Sequence, residues 1–519
     1  MPLDPFIMRR VFFGLLAVLL GFLAAVGWYG YQHGFSRKWR LYLAQQFRKQ
    51  GLEVSVRRLT LDPVHGLVAR EMKVYDPDDR KHVIAVIDQA NLGVNYSHIL
   101  RGKALLDSVD LHDARLSIPI DPSARRGESM MLTHLHARIF FPPRQIYLSR
   151  ADAEFCGMHI FATGRVVKPN DFHFANEGRA AYAARISRLI AELKALRYDS
   201  SRPLLQIEFS GDLARPEKLS ASVRLHAVDV RRHEEKSPNR RYLIRKLDLM
   251  VTCRDGAAEL QQLDIADARG EFHAHGSFEL LTRRFVLNFH SSLDLEEMNR
   301  AFSLVQNSDI FLHDPPRMEF TVEGNLQPDP KFRAVGHVGL GNFSLKSEVF
   351  SSLAADASWD GERWSIRDLH LTHRSGGVTV DAMQLPGSFR AAIHGSMDPK
   401  AFLPLLSGKP AEWLSEFEFG TTPTVDADLS GASVDSKDLR SDGTIGFSKT
   451  SFRSMQVNGK ARLSYADGVL TLAPFPDEQH GGAVTFDPGR DEVRFHSTEP
   501  AVKETAAAAD TDTEEAEAR

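Results

Sequence analysis

From Gly51 onward apolar and polar residues alternate with period two. Val54 and Val56, Leu59 and Leu61, Met72 and Val74, Leu92 and Val94, and Val109 and Leu111 each stand among polar neighbours. Successive side chains of a strand point to opposite faces, so this pattern predicts consecutive strands sharing one apolar face. His65-Gly66 and Asp76-Pro77-Asp78-Asp79 supply turns between the runs, and Asp121 to Ser129, rich in charge and turn formers, reads as a loop. The period changes only in short stretches. Ser36 to Gln50 is helical in pattern, with Ser36 as N-cap, Gly51 as stop, and Trp39, Leu43 and Phe47 on one face bordered by basic residues. That face can rest on lipid headgroups or plug the end of the following sheet, and both readings stay open.

Further along, the pattern repeats itself at about 105 residues. Ser396-Met397-Asp398 echoes Ser292-Leu293-Asp294, and each precedes a helical stretch, Leu295 to Val305 and Pro399 to Phe417. A strand beside proline follows (PPRMEFTVEGNL from Pro315, TPTVDADLSGAS from Thr422), then GHVGLGNFSL from Gly336 and GTIGFSKTSF from Gly443. Asp360-Gly361 and Asp467-Gly468 open hairpin turns, and Gly376-Gly377 and Gly481-Gly482 close the copies. An earlier copy has a helix from Ala180 to Arg197, the strand LLQIEFSGDL from Leu204, and the turn Asp255-Gly256. One copy alone cannot bury its apolar face, so neighbouring copies are expected to stack their sheets.

The N-terminus changes the picture. Val11 to Tyr31 is 21 residues without a charge, about 31 Å as a helix, enough to cross a hydrocarbon core. Arg9 and Arg10 precede it, and Trp28, Tyr29 and Tyr31 stand where an aromatic belt would lie. Ala25 and Gly27 offer a signal-peptidase alternative, for which the apolar core is long. The C-terminal flank carries Arg37, Lys38, Arg40, Arg48 and Lys49, which by charge counting alone would place the bulk of the chain in the cytoplasm.

Composition and candidate chemistry narrow the classes. With 519 residues, 43 % hydrophobic and a net charge of −4, the chain can bury a core and lacks the basic surplus of a nucleic-acid binder. Cys156 and Cys253 are too few for a disulfide framework; they can pair or stand as two buried thiols. Metal and catalytic signatures are absent: no His-Glu-x-x-His, Cys-x-x-Cys, nucleophile elbow or phosphate loop occurs. His134 and His136, and His273 and His275, sit two apart on one strand face without an obvious third ligand. Gly339 and Gly341 lie within a strand. Glu259, Asp264, Asp267 and Glu271 read as a solvated acidic face, and Ala501 to Arg519 as a disordered acidic tail. The reading is of a protein that is no enzyme and uses no cofactor or metal.

The order of the N-terminal segments resembles the AsmA family. An anchor is followed by RKWRLYLAQQFRKQGLEVSVRRLTLDPVHGLVAREMKVYD and ANLGVNYSHILRGKALLDSVDLHDARLSI, and SYADGVLTLAPFPDEQHGGAVTFDP resembles that family's closing module. The resemblance spans about residues 5 to 490. The long insertion near Asp121 and the lack of the outer-membrane contact domain of larger relatives depart from it. It implies a mainly β fold with a few helices: an elongated, twisted antiparallel sheet, curled into a groove and preceded by one transmembrane helix. It further implies an inner-membrane anchor with the bulk in the periplasm of a Gram-negative-type envelope, against the charge count. The juxtamembrane residues Arg37, Lys38, Trp39, Arg40, Phe47, Arg48 and Lys49 then become membrane-surface contacts.

The organisation expected is a tail (1–10), anchor (11–31), chorein-like N-terminal module (36–172), β-repeats (173–276, 277–381 and 382–490) and acidic tail (491–519). One helix per six strands is too little cover for a flat apolar sheet, so curling or lipid chains must supply the rest. The alternating positions Phe285, Leu287, Phe289, Val338, Leu340, Phe343 and Leu345 are the candidate groove liners; an ordinary sandwich core is the alternative. The function expected is phospholipid binding in lipid transport and outer-membrane homeostasis. Envelope or outer-membrane proteins are further partners, and self-association is left open. The alternatives are a non-enzymatic scaffold for outer-membrane biogenesis and, behind it, an envelope-polymer hydrolase.

Overall fold

A computed structural model of the chain describes residues 18, 20–22, 25, 28–29, 34–49, 52–62, 66–75, 83–94, 106–119, 129–142, 145–167, 187–188, 190–212, 218, 220–232, 242–279, 281–295, 297–298, 309–326, 331–434, 438–453, 455–475 and 482–497. The protein is mainly β, and its strands pair almost entirely antiparallel. It divides into two compact units, Met1–Ser308 with Asp314–His337, and Asp309–His313 with Val338–Arg519.

The first unit opens with helix α1 (Arg37–Lys49). A meander follows: β1 (Glu53–Asp62), β2 (Gly66–Tyr75), β3 (Val83–Val94), β4 (Leu106–Pro119), β5 (Ser129–Phe140), β6 (Gln145–Phe155) and β7 (Met158–Val167), each paired with the next. The short β8 (Leu196–Tyr198) and then β9 (Leu204–Asp212) continue the chain, and β9 lies parallel to β7. Next come β10 (Ser220–Arg232), β11 (Leu243–Arg254), β12 (Ala257–Ala266), β13 (Glu271–Glu279) and β14 (Arg284–Ser291), again antiparallel neighbours in order. The three-residue β15 (Ile310–Leu312) belongs to the second unit, and β16 (Arg317–Asn325) pairs with β14. β17 (Lys331–Leu340) supplies residues to both units.

In the second unit β15 pairs with β18 (Phe343–Leu345), and β18 with β19 (Glu348–Trp359). β20 (Trp364–His373), β21 (Gly376–Leu385) and β22 (Ser388–Ser396) follow as hairpins. After a helical connection come β23 (Phe417–Phe419), β24 (Thr424–Gly431), β25 (Arg440–Phe452), β26 (Met455–Ala466), β27 (Val469–Pro474), β28 (Gly482–Asp487) and β29 (Glu492–Ser497). β24 pairs with β22, and β25 takes both β23 and β24 as partners. In neither unit does the last strand pair with the first among the described residues.

Local chemistry sets the turns. Asp255-Gly256 and Asp467-Gly468 both have positive φ at each residue (51° and 78°; 52° and 82°), the left-handed pair that a two-residue type I′ hairpin needs. Asp360-Gly361 opens a longer loop instead, because the Asp360 carboxylate accepts the Arg363 amide and the strands resume at Trp364. Cys156-Gly157 forms another positive-φ pair between β6 and β7. Cys156 and Cys253 are free thiols.

Several expected elements differ. The helix expected from Pro399 to Phe417 is two pieces, a 3-10 turn (Pro399–Leu405) and α2 (Lys409–Ser415). Pro404 and Pro410 cannot donate the amides a continuous helix needs, Gly408 sits at φ 67°, and Phe417 already belongs to β23. The helix expected from Ala180 to Arg197 ends by Ala195, because Leu196–Tyr198 pairs with β10; its first residues lie outside the described ones. Of Leu295 to Val305, Leu295, Glu297 and Met298 are helical and the rest lies outside the described residues. The anchor at 11–31 also lies mostly outside them; Val18, Leu20, Gly21, Phe22, Ala25, Trp28 and Tyr29 are helical. Among the described residues no helix is long and apolar enough to cross a membrane. Of the tail expected over 491–519, Glu492–Ser497 forms β29 against β28, because its alternating Val493 and Phe495 fit a strand, and the residues from 498 onward lie outside the described ones.

Each unit packs its own core. In the first, Leu43 and Phe47 of α1 join a cluster with Val54, Val56, Met72, Ile87 and Leu92. One row of this cluster crosses six strands as Leu59, Ala69, Ala90, Leu111, Ala137 and Ala151, small enough for a helix to settle on it. In the second unit Phe350, fully buried, stacks on Phe343 and packs with Met397, Ala401 and Phe402. Around Trp413 of α2, Phe452 and Phe486 form a separate aromatic cluster. Phe350→Ala should cost about 3–5 kcal/mol, read as a lower denaturant midpoint for the second unit, followed by fluorescence of Trp359, Trp364 and Trp413.

Candidate functional site

Beyond β7 the strands of the first unit change character. Cross-strand register aligns three apolar rows on one face of β9–β14 and β16. The first is Leu205, Leu225, Leu249, Leu263, Ala274, Phe289 and Phe320. Two residues along lies Ile207, Val223, Val251, Leu260, Gly276, Leu287 and Val322. The third is Phe209, Ala221, Cys253, Ala258, Phe278, Phe285 and Gly324. Apart from Ala274, which is buried, all of these residues are only partly buried. The helical stretch at 190–195 packs at the β10 end of this face, Ile190 and Leu193 clustering with Ile160 and Leu225.

Aromatic rings organise the floor. Phe289 stacks between Phe272 and Phe320, with centroids 5.7 Å apart on both sides, the offset spacing that aromatic pairs favour. The Phe320 ring lies across Gly336, where a Cβ would stand 2.6 Å from it and 2.1 Å from the Glu319 carbonyl. Glycine is required there because ring and backbone occupy the space of a side chain. The reverse face is polar, with Arg224, His226, Glu259, His273, His275, Thr321 and Glu323 exposed.

Of the sequence-predicted liners, Phe285, Leu287 and Phe289 lie on this face and are partly buried. Val338, Leu340, Phe343 and Leu345 belong to the second unit. Phe343 is 4 % exposed and sits in the Phe350 cluster, with Leu340 and Leu345 against it. It is therefore core rather than an open lining, because Met397 and the 3-10 turn cover that cluster. Phe320, Val322, Leu249 and Leu263 were missed as liners; their period-two alternation was visible, but the register that aligns them was not.

Helix α1 divides the residues assigned to a membrane surface. Phe47 and Leu43 are each 2 % exposed and belong to the core, so Phe47 cannot meet headgroups, and the plug reading holds for that stripe. Trp39, Leu41 and Tyr42 remain exposed, with Arg37 and Lys38 beside them and Trp39 edge-on to Tyr42. Arg40 turns back, its guanidinium donating to the Arg57 carbonyl, and Arg48 pairs with Glu53 at 2.7 Å. Lys49 lies in the helix, with its side chain outside the described residues.

The acidic residues do not form one solvated face. Asp267 is 6 % exposed. It accepts the Arg269 and Gly270 amides at 2.7 Å, the Asp294 amide at 2.8 Å and the Tyr242 hydroxyl at 2.9 Å. Burial, then the bond to Asp267, push the Tyr242 hydroxyl far above its ordinary pKa. Asp294 in turn accepts the Glu297 amide and the Arg269 guanidinium. In the second unit Asp398 accepts the Lys400 amide while its own amide donates to Ser375 Oγ. Ser375 is 2.8 Å from Nδ1 of the buried His373, whose Nε2 meets Glu348 at 3.0 Å. The serine hydroxyl is thus committed to a helix-start latch.

His134 and His136 do not share a face: His134, at φ 51° in a bulge, turns to Asp113, while His136 faces His112. No cluster of three or more potential metal ligands occurs among the described residues.

The fold and this surface define a mainly β protein with an open, mostly antiparallel sheet, partly uncovered on its apolar side. No family model, curated protein or solved structure matches the chain. Phe47→Ala should lower stability by about 3–5 kcal/mol and Trp39→Ala by about 0.5 kcal/mol or less, measured as shifts in urea midpoint for the first unit.

Proposed function

We propose that this chain is a membrane-anchored, AsmA-like protein of a Gram-negative-type envelope that carries phospholipid acyl chains along the apolar face of its sheet. The observation that carries the reading is the three aligned apolar rows on β9–β14 and β16, left partly exposed while the reverse face is polar. A soluble protein rarely leaves so continuous an apolar surface open without something to cover it. On β13 the apolar positions run from Phe272 to Phe278, about 20 Å along the strand, against ~15 Å for one leaflet of hydrocarbon. A chain lying along the strands is therefore covered end to end. Moving it through water would cost about 0.8 kcal/mol per methylene, and a continuous floor removes most of that barrier. No residue performs chemistry.

The residues at 11–31 form the anchor in this reading, and Trp39, Leu41, Tyr42, Arg37 and Lys38 lie at the membrane surface with the bulk in the periplasm. The matched helix starts at Asp294 and Asp398 support the internal repeat of about 105 residues. The role is in lipid transport and outer-membrane homeostasis. A second reading, a non-enzymatic scaffold for outer-membrane biogenesis, draws on the closed aromatic clusters of the second unit.

Native mass spectrometry of the full chain in mild detergent, with lipid extraction, tests this. Stoichiometric phospholipid is expected, falling several-fold in Leu287→Asp and in Val322→Asp while circular dichroism stays that of the parent. A folded, lipid-free parent would overturn the transfer reading in favour of the scaffold.

A further inference from the structure

Behind the apolar rows, the polar face of the same strands carries a row of a different kind. His226 on β10 stands opposite Asp248 on β11, Asp248 opposite Asp264 on β12, and Asp264 opposite His273 on β13. His273 stands opposite His290 on β14, and His290 opposite Glu319 on β16. Six consecutive cross-strand positions are therefore titratable, three imidazoles and three carboxylates in one line across the sheet. Directly opposed side chains lie within about 5.5 Å at Cβ, close enough for each to feel its neighbour's charge.

The geometry fixes the state of the central histidine. Nδ1 of His273 is 2.9 Å from Asp264 Oδ1, and Nε2 is 3.1 Å from Glu271 Oε2. Ionised carboxylates only accept, and neutral imidazole carries one N–H, so both bonds exist together only in the imidazolium. His226 Nδ1 approaches Asp248 at 2.6 Å, and Lys246 binds the other oxygen of Asp248 at 2.7 Å.

We infer that this row is a pH-sensitive clamp on the back of the sheet, centred on His273, holding β10–β14 and β16 together when His273 is protonated and slackening when it is neutral. With His273 charged, it and Lys246 stand against Asp248, Asp264 and Glu271. With His273 neutral, Lys246 is left among three carboxylates, and Asp248 faces Asp264 directly across β11 and β12. The other groups around His273 are Gln262, which donates to Asp264, His275 on its own strand, and His290 across β14. Glu319 stands on the far side of His290.

The direction of each titration agrees. The bonds to Asp264 and then Glu271 raise the pKa of His273. Gln262 and then His273 lower that of Asp264, and His226 and then Lys246 lower that of Asp248. A raised histidine pKa stabilises fully below its ordinary value of about 6.5 and loses the effect as pH rises through the raised value. The lowered aspartates stabilise above about pH 3.9 and lose the effect only as pH falls through their lowered values. The clamp is thus tightest between those limits and opens on the alkaline side. This holds whatever the apolar face carries.

Hydrogen exchange of the full chain tests it. Amide protection in peptides covering 243–291, corrected for intrinsic rates, should fall several-fold between pH 5.5 and pH 8. In His273→Gln, which keeps a donor but cannot titrate, that fall should flatten. Exchange of the imidazole C2 proton, followed by mass spectrometry on the parent chain, should give His273 a pKa above its ordinary value, a reading that needs no variant to fold. A parent whose protection does not change with pH, a His273→Gln profile identical to the parent's, or a His273 pKa at or below the ordinary value would each overturn the proposal.

Discussion

A strand cannot choose which of its faces meets water; alternation assigns every second residue to each side. In this protein that constraint applies to strand after strand with the same register, so apolar side chains accumulate in rows rather than in a central knot. What varies along the first unit is how a row is hidden. Across β1–β6 the row is mostly alanine, and α1 presses Leu43 and Phe47 into the same cluster. From β9 onward that row continues through Ala162 as Ile207, Val223, Val251, Leu260, Gly276, Leu287 and Val322, mostly larger side chains, and no described helix is broad enough to cover them. Small residues admit a second layer at close range, whereas large ones hold it off and leave a surface that another apolar body can occupy.

The sheet is finished at its margins by polar devices. At its first edge, the Phe35 amide and the Arg40 guanidinium satisfy carbonyls of β1 at Leu59 and Arg57. An open edge is a template for unwanted pairing, and this short cap blunts it. Where strands give way to helical segments, a side chain takes the amide of the capping aspartate: Asp267 for Asp294, and Ser375 for Asp398. Asp267 is a buried carboxylate with four donors, so its desolvation is offset by bonds that also fix where the helix begins. Ser375 does the same with a hydroxyl oriented by His373. The chemistry differs and the mechanical task is the same.

Much of this was legible in the sequence, and the misses have physical causes. Alternation located β1, β2, β3 and β4, and the Asp-Gly pairs at 255 and 467 forecast their turns because few other dipeptides tolerate two left-handed residues. Period alone could not tell which side of α1 is covered, so Phe47 was grouped with Trp39 although one is core and the other exposed. Nor could it show that Asp267 leaves the strand pattern of Glu259 and Asp264 to enter a turn among four donors. The segment from Pro399 looked helical by composition, but Pro404, Gly408 and Pro410 broke it. Rows such as Leu249–Leu263–Ala274–Phe289 depend on register and on bulges, as between Leu260 and Leu263, and register is a property of pairs of strands.

The two faces of β10–β14 and β16 obey different physics on one backbone. Burial of the apolar rows depends on area and is indifferent to protons, whereas the histidine–carboxylate row depends on charge and is screened by salt. Phe272 and Ala274 flank His273 in sequence, and Met318 and Phe320 flank Glu319, so neither row can shift without moving the other. In the proposed clamp, the polar row acts on the spacing of the strands beneath the stacked phenylalanines, and so on the apolar face that shares them.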